Sequence, residues 1–177
     1  MRCQLLLLFP VVCLVLAGIA SAGNGEQKGE AKAGWAGIFP EMNGYQRTFQ
    51  APVVGEGKTS YRQTARYEWT GGAVKLLEVT AARDPAFKQK YSTEALQKEK
   101  PAPKEMPVGK RKAWLWMLAK EGEGGLDKPY ARLVVPLGED KALIMELKGV
   151  GPWEPMADIV ARFDLARVEA ALAEPPK

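Results

Sequence analysis

The hydrophobic and polar positions of residues 59–69 alternate: Tyr61, Ala65, Tyr67 and Trp69 fall on one side of an extended chain, and Arg62, Thr64, Arg66 and Glu68 on the other. A period of two with one apolar side predicts a strand with one buried and one wet face. Gly55 to Lys58 before this stretch and Gly71-Gly72 after it are turn chemistry, so strands over 45–51, 59–69 and 73–82 are expected to form an antiparallel meander. Asp84-Pro85 then reads as an N-cap followed by a first helical position. It opens a helical stretch to about Lys100 that re-nucleates at Ser92-Thr93. Pro101, Pro103 and Pro107 predict an extended loop.

The pattern returns to strands over 112–118, where Trp114, Trp116 and Leu118 share a side, and over 130–137 and 141–148, joined by the tight-turn sequence Gly138-Glu139-Asp140. Met156, Ile159, Val160 and Phe163 recur at helical spacing after Pro155. Asp164 then caps a closing helix with Leu165, Val168 and Leu172 on one face. The expected fold is α+β: an antiparallel sheet of about six strands, arranged as two three-stranded meanders, packing its aromatic face under two helical segments. Tyr61, Tyr67, Trp69, Trp114, Trp116, Val134, Ile144, Ile159 and Phe163 are the expected buried anchors.

The first segment changes the picture of where the chain acts. Met1-Arg2 is followed by an almost uninterrupted apolar run from Leu5 to Ile19 and by Ala20-Ser21-Ala22, small residues at the spacing of a signal peptidase site. Residues 1–22 therefore read as a secretory signal peptide, since the run is shorter than the ~20 residues of a spanning helix and Pro10 interrupts it. Residues 23–34, made of Gly, Ala and charge, read as a flexible linker, and residues 35–177 as a single domain. The expected location is secreted or periplasmic, with no stable membrane span after cleavage.

Composition then removes whole classes of chemistry. The chain has no His, and Cys3 and Cys13, its only cysteines, both fall in the leader. A mature chain without either residue has no disulfide, thiol nucleophile, imidazole base, His or Cys zinc site or Ser-His-Asp triad. No cofactor or metal is expected. Hydrophobic residues at 46% and charged residues at 26% are ordinary for a folded domain, with 25 basic against 21 acidic side chains.

Four features could carry function. Lys104, Lys110, Arg111 and Lys112 gather near the proline-rich segment and are the candidate partner-contact residues, suited to a protein, a glycan or an anionic surface component. The loops 100–112 and 121–128 flank the same strand and form the expected contact surface. The aromatics of the strands could serve as a ligand platform or as core. Glu78 and Glu146, the acids set in apolar strands, are the ones to inspect for carboxylate chemistry. Gly149-Val150-Gly151-Pro152 lacks the third glycine of a dinucleotide turn and reads as a connector. Nucleic acid is not an expected partner, because no recognition motif accompanies the modest positive charge.

The opening "FPEMNGYQRTF", the strand pair "YARLVVPLGEDKALIMELKG" and the closing "PWEPMADIVARFDLARVEAAL" give a layout that resembles small secreted bacterial domains of the MOG1/PsbP-like type. That resemblance implies a non-enzymatic binding or assembly role and carries over no site residue. Two functions therefore stand side by side: an exported non-catalytic envelope or extracellular protein of binding or structural type, and a hydrolase of glycan-type substrates working through two carboxylates.

Overall fold

The computed structural model describes residues 33–120 and 125–175. The expected leader 1–22 and linker residues 23–32 lie outside the described residues; Ala33 and Gly34, the end of the expected linker, belong to the first helix, α1 (Ala33–Ala36). The fold is mixed α+β, built on one antiparallel sheet. Its strands are β1 (Tyr45–Phe49), β2 (Val53–Val54), β3 (Tyr61–Trp69), β4 (Lys75–Arg83), β5 (Lys104–Val108), β6 (Arg111–Met117), β7 (Pro129–Pro136) and β8 (Lys141–Gly149). They pair in the order β1-β3-β4-β8-β7-β6-β5, with β2 beside β3. The helices are α1, α2 (Phe87–Lys90), α3 (Thr93–Lys98), α4 (Met156–Val160) and α5 (Leu165–Ala171). Among the described residues no helix is long and apolar enough to cross a membrane.

Both expected meanders form, and β4 and β8 pair along their full length to fuse them into one sheet. The expectation of six strands is corrected to eight. The two additions are β2, a two-residue strand, and β5, which lies within the expected proline-rich loop. Pro107 does not prevent β5 from forming, because β5 is an edge strand and pairs only with β6, so a residue lacking an N–H is tolerated. The single helical stretch to Lys100 resolves into α2 and α3, broken at Ser92, whose Oγ accepts from the Ala95 N–H at 3.3 Å. Asp164 Oδ1 likewise accepts from the Arg167 N–H at 3.0 Å and starts α5.

The sheet buries both faces, and this corrects the expectation of one aromatic face under two helical segments. Tyr61, Ala65 and Tyr67 of β3, Leu77 and Val79 of β4, Leu133 and Val135 of β7 and Leu143 and Met145 of β8 form the larger core. The N-terminal segment covers it with Trp35, Ile38, Phe39 and Met42, and the C-terminal helices with Met156, Ile159, Val160, Phe163, Val168 and Leu172. Two phenol groups tie this cover down: Tyr61 donates to the Leu172 carbonyl at 2.7 Å and Tyr67 to the Pro40 carbonyl at 2.9 Å. Gln63, also buried on this face, is satisfied by donating to the Gln50 carbonyl at 2.6 Å.

Trp114 and Trp116 lie on the opposite face. The register pairs Trp116 with Arg132, Arg132 with Glu146, Glu146 with Glu78 and Glu78 with Arg66, which places the tryptophan on the charged side of β3. There α2 and α3 bring Phe87 and Leu96 onto Trp116, Val134, Ala82 and Ala142 as a second, smaller core. Of the expected anchors, Tyr61, Tyr67, Trp116, Val134, Ile159 and Phe163 are buried. Trp69, Trp114 and Ile144 are only half-buried: Trp69 ends its strand, edge-on to Tyr45 at 5.1 Å, and the other two lie at the margin of the smaller core.

The buried phenols give the fold an alkaline limit. Burial pushes the Tyr67 hydroxyl far above the usual phenol range and that of Tyr91 up to about 12. An unfolded tyrosine loses its proton near pH ~10. Between that pH and the folded values the native state holds more protons than the unfolded chain, so stability is complete below pH ~10 and falls as pH rises beyond it. Denaturation midpoints are expected to drop above pH ~10, and less steeply in the Tyr67→Phe/Tyr91→Phe double variant. That variant should also lose about 1 kcal/mol at neutral pH, for the hydrogen bond to Pro40. Identical slopes for the two proteins would rule the phenols out as the cause.

Candidate functional site

The basic residues do not converge. β5 and β6 form a hairpin, Lys110 sits at its turn, and pairing sets Lys104 opposite Leu115 and Lys112 opposite Pro107. Lys104 thus shares the side of Leu115, and Lys112 the side of Trp114. Arg111 donates to Glu169 of α5 at 2.5 Å, and Lys112 Nζ lies 3.0 Å from Glu105. Arg111 therefore helps to dock the last helix, while Lys104 and Lys110 are exposed. Of the segment expected as one contact loop, the hairpin turn at Gly109-Lys110 lies at the end of β6 away from the second loop, about 20 Å along the strand, whereas Lys104, opposite Leu115, lies toward the end from which the second loop leaves. Part of the second loop, residues 121–124, lies outside the described residues.

The two acids set in apolar strands come together. Glu78 and Glu146 are direct partners across β4 and β8. Lys148 reaches both, hydrogen-bonding Glu78 and lying 3.6 Å from Glu146. Arg132 contacts Glu146 at 2.7 Å and Arg66 contacts Glu78 at 3.5 Å. The side chains of Glu78, Glu146 and Lys148 are 18%, 21% and 17% exposed, so these charges are partly withdrawn from water and interact more strongly than exposed pairs. The strand pairing fixes this arrangement. Alternation puts Glu78 and Glu146 on the same side, and two adjacent carboxylates are tolerable only with cations threaded between them.

Beside this ladder, under α2 and α3, runs a cleft that the sequence did not disclose. One part, of about 280 Å³, is floored by Thr80, Ile144 and Val134, bordered by Glu78, Glu146 and Arg132, walled by Lys90, Tyr91 and Glu99, and closed by Arg62 and Trp116. A second part, of about 310 Å³, adjoins it and shares Arg62, Thr80, Lys90 and Ile144. Along the sequence Arg62 belongs simply to the polar side of β3. Nothing in its spacing linked it to Lys90 or Trp116, which the sheet register and the α2 crossing bring to the same cleft. The one local signal was the polar alternation of β3 on a strand central enough to be covered.

The electrostatics of the cleft are uneven. The cations Arg66, Arg132 and Lys148 are engaged by the carboxylate ladder. Among the described residues Arg62 has no ion pair or side-chain hydrogen bond, and Lys90 Nζ has only the ring of Tyr91, 5.7 Å from its centroid. The buried Trp116 indole N–H has no acceptor. The cleft thus has free cationic donors in Arg62 and Lys90 over a largely apolar floor, with the Trp116 ring in its lining and the indole N–H itself buried. Comparison with known proteins supplies no further guide: no family model, no curated protein and no solved structure matches the chain.

Proposed function

We propose that the chain is an exported, non-catalytic protein of the cell envelope or extracellular space, acting by binding. The observation that carries this reading is the state of Glu78 and Glu146. Hydrolysis through two carboxylates requires one group free to give a proton and another free to attack or activate water, about 5–10 Å apart across a substrate cleft. Here the pair lies side by side on one sheet, bridged by Lys148 and flanked by Arg66 and Arg132. That arrangement serves cohesion between β4 and β8. The absence of His and Cys from residues 23–177, and the layout resemblance to MOG1/PsbP-like domains, point the same way.

The carboxylate hydrolase is the second reading, favoured by one observation: Glu99, without an ion pair among the described residues, lines the same cleft as the ladder. Both readings are tested by incubating the purified protein with peptidoglycan and with neutral polysaccharides and measuring released reducing ends. No turnover is expected. Glu78→Gln and Glu146→Gln are expected to lower stability by about 1 kcal/mol each, through loss of an ion pair. Turnover by the wild type that Glu78→Gln, Glu99→Gln or Glu146→Gln abolishes would replace the binding reading with the hydrolytic one.

A further inference from the structure

We infer that the cleft under α2 and α3 binds a small molecule with a single anionic group and an apolar body: a carboxylate or phosphate head at Arg62 and Lys90, and an aryl or short acyl body over Ile144 and Val134. The inference rests on the binding reading above and names its ligand class.

Three observations combine. Arg62 and Lys90 line both parts of the cleft, and neither has an ion-pair partner among the described residues, whereas Arg66, Arg132 and Lys148 of the neighbouring ladder are all engaged. Two free cations converging on one depression are a receptor for an oxyanion, since charge-assisted hydrogen bonds are the strong ones and a guanidinium can grip two oxygens at once. The floor is Thr80, Ile144 and Val134, walled by Tyr91, which suits a flat or narrow apolar body. Trp116 is 5% exposed and its indole N–H has no partner. The Trp116 ring lines the cleft, so its buried indole N–H reports on what occupies it.

Charge decides how many anionic groups the ligand carries. Glu99 and Glu146 line the cleft together with Trp116 and would repel a second anion, so the rest of the ligand is uncharged. The two parts, at about 280 and 310 Å³, together fit a molecule of small-metabolite size.

The test follows the Trp116 indole N–H resonance of the full mature protein by NMR during titration with octanoate, phenyl phosphate, inorganic phosphate and octylamine. Octanoate or phenyl phosphate is expected to shift that resonance saturably. The preferred one identifies the head as carboxylate or phosphate, and added salt should weaken the binding. Inorganic phosphate, lacking the apolar body, and octylamine, with the opposite charge, are expected to bind at least about tenfold more weakly. Arg62→Gln and Lys90→Gln, both at exposed positions, are each expected to keep the fold and to weaken binding about tenfold. An unmoved Trp116 resonance with both anions, equal binding of octylamine, or undiminished affinity in both variants would overturn the inference. Such a failure, without glycan turnover, would leave the general binding reading standing; glycan turnover dependent on Glu78, Glu99 or Glu146 would remove both.

Discussion

Trp116→Ala is expected to lower stability by about 3–5 kcal/mol. The indole, 5% exposed, fills the space between the second sheet face and the α2-α3 crossing, in one cluster with Phe87, Leu96, Val134, Ala82 and Ala142. Helices of four and six residues do not persist alone in water, so α2 and α3 owe their order to this contact. The loss should therefore exceed the transfer of one side chain, since the crossing loosens with it. Chemical denaturation is the measurement, and the melting temperature should fall by about 10 °C or more. Trp116→Phe is expected to cost far less, because it keeps an aromatic ring in place and removes an N–H that has no partner. A loss below about 1 kcal/mol for the alanine variant would show that the crossing is not anchored there.

Gly149→Ala is expected to cost about 3 kcal/mol or more. Gly149 ends β8 with φ +97°, a conformation that side-chain-bearing residues rarely adopt, and a Cβ there would lie 2.0 Å from the Val74 carbonyl oxygen. That carbonyl accepts the Val150 N–H at 3.0 Å, closing the end of the β4-β8 pairing at the centre of the sheet. Relief of the clash requires the backbone of one strand to move, with loss of that hydrogen bond. Gly72 supplies the control: its φ is +86°, but nothing lies within 4 Å of the added carbon, so Gly72→Ala should cost only the conformational strain, about 1–2 kcal/mol. Equal denaturation midpoints for the two variants would show that the contact with Val74 is not the cause. Along the sequence the Gly149 segment reads only as a connector; its structural demand arises from β4, whose Val74 lies against it.

Much of the fold was legible because it is local. Period-two alternation in β3 and β6, the Ser92 and Asp164 starts, and the Gly-Glu-Asp turn before β8 each depend on residues within a few positions of one another, whereas the start expected at Asp84 falls at Phe87, after Ala86. Where propensity was opposed by position, the reading failed. β5 carries Pro107 and two charges, and only its place at a sheet edge makes it a strand. Of the candidate site, Glu78 and Glu146 stood out as acids among apolar neighbours, whereas Arg62 and Lys90 did not, being ordinary polar-face and helix residues. The basic cluster Lys104, Lys110, Arg111 and Lys112 looked coherent along the chain and was divided by the hairpin between two sides of the sheet.

By itself the sequence determined the α+β class, the order of the strands within each meander, the chemistries that residues 23–177, without His or Cys, cannot perform, and the cover that each amphipathic segment requires. Tertiary structure alone decided which strands meet across the two halves. The β4-β8 register set Glu78 beside Glu146, turned Trp116 to the face opposite Tyr61 and Tyr67, and left Arg62 and Lys90 over one cleft. The physical reason is that alternation fixes only which residues share a side of their own strand. Which side faces which core, and which partner stands opposite, depends on burying both apolar faces at once and compensating every partly buried charge, conditions that only the whole sheet can satisfy.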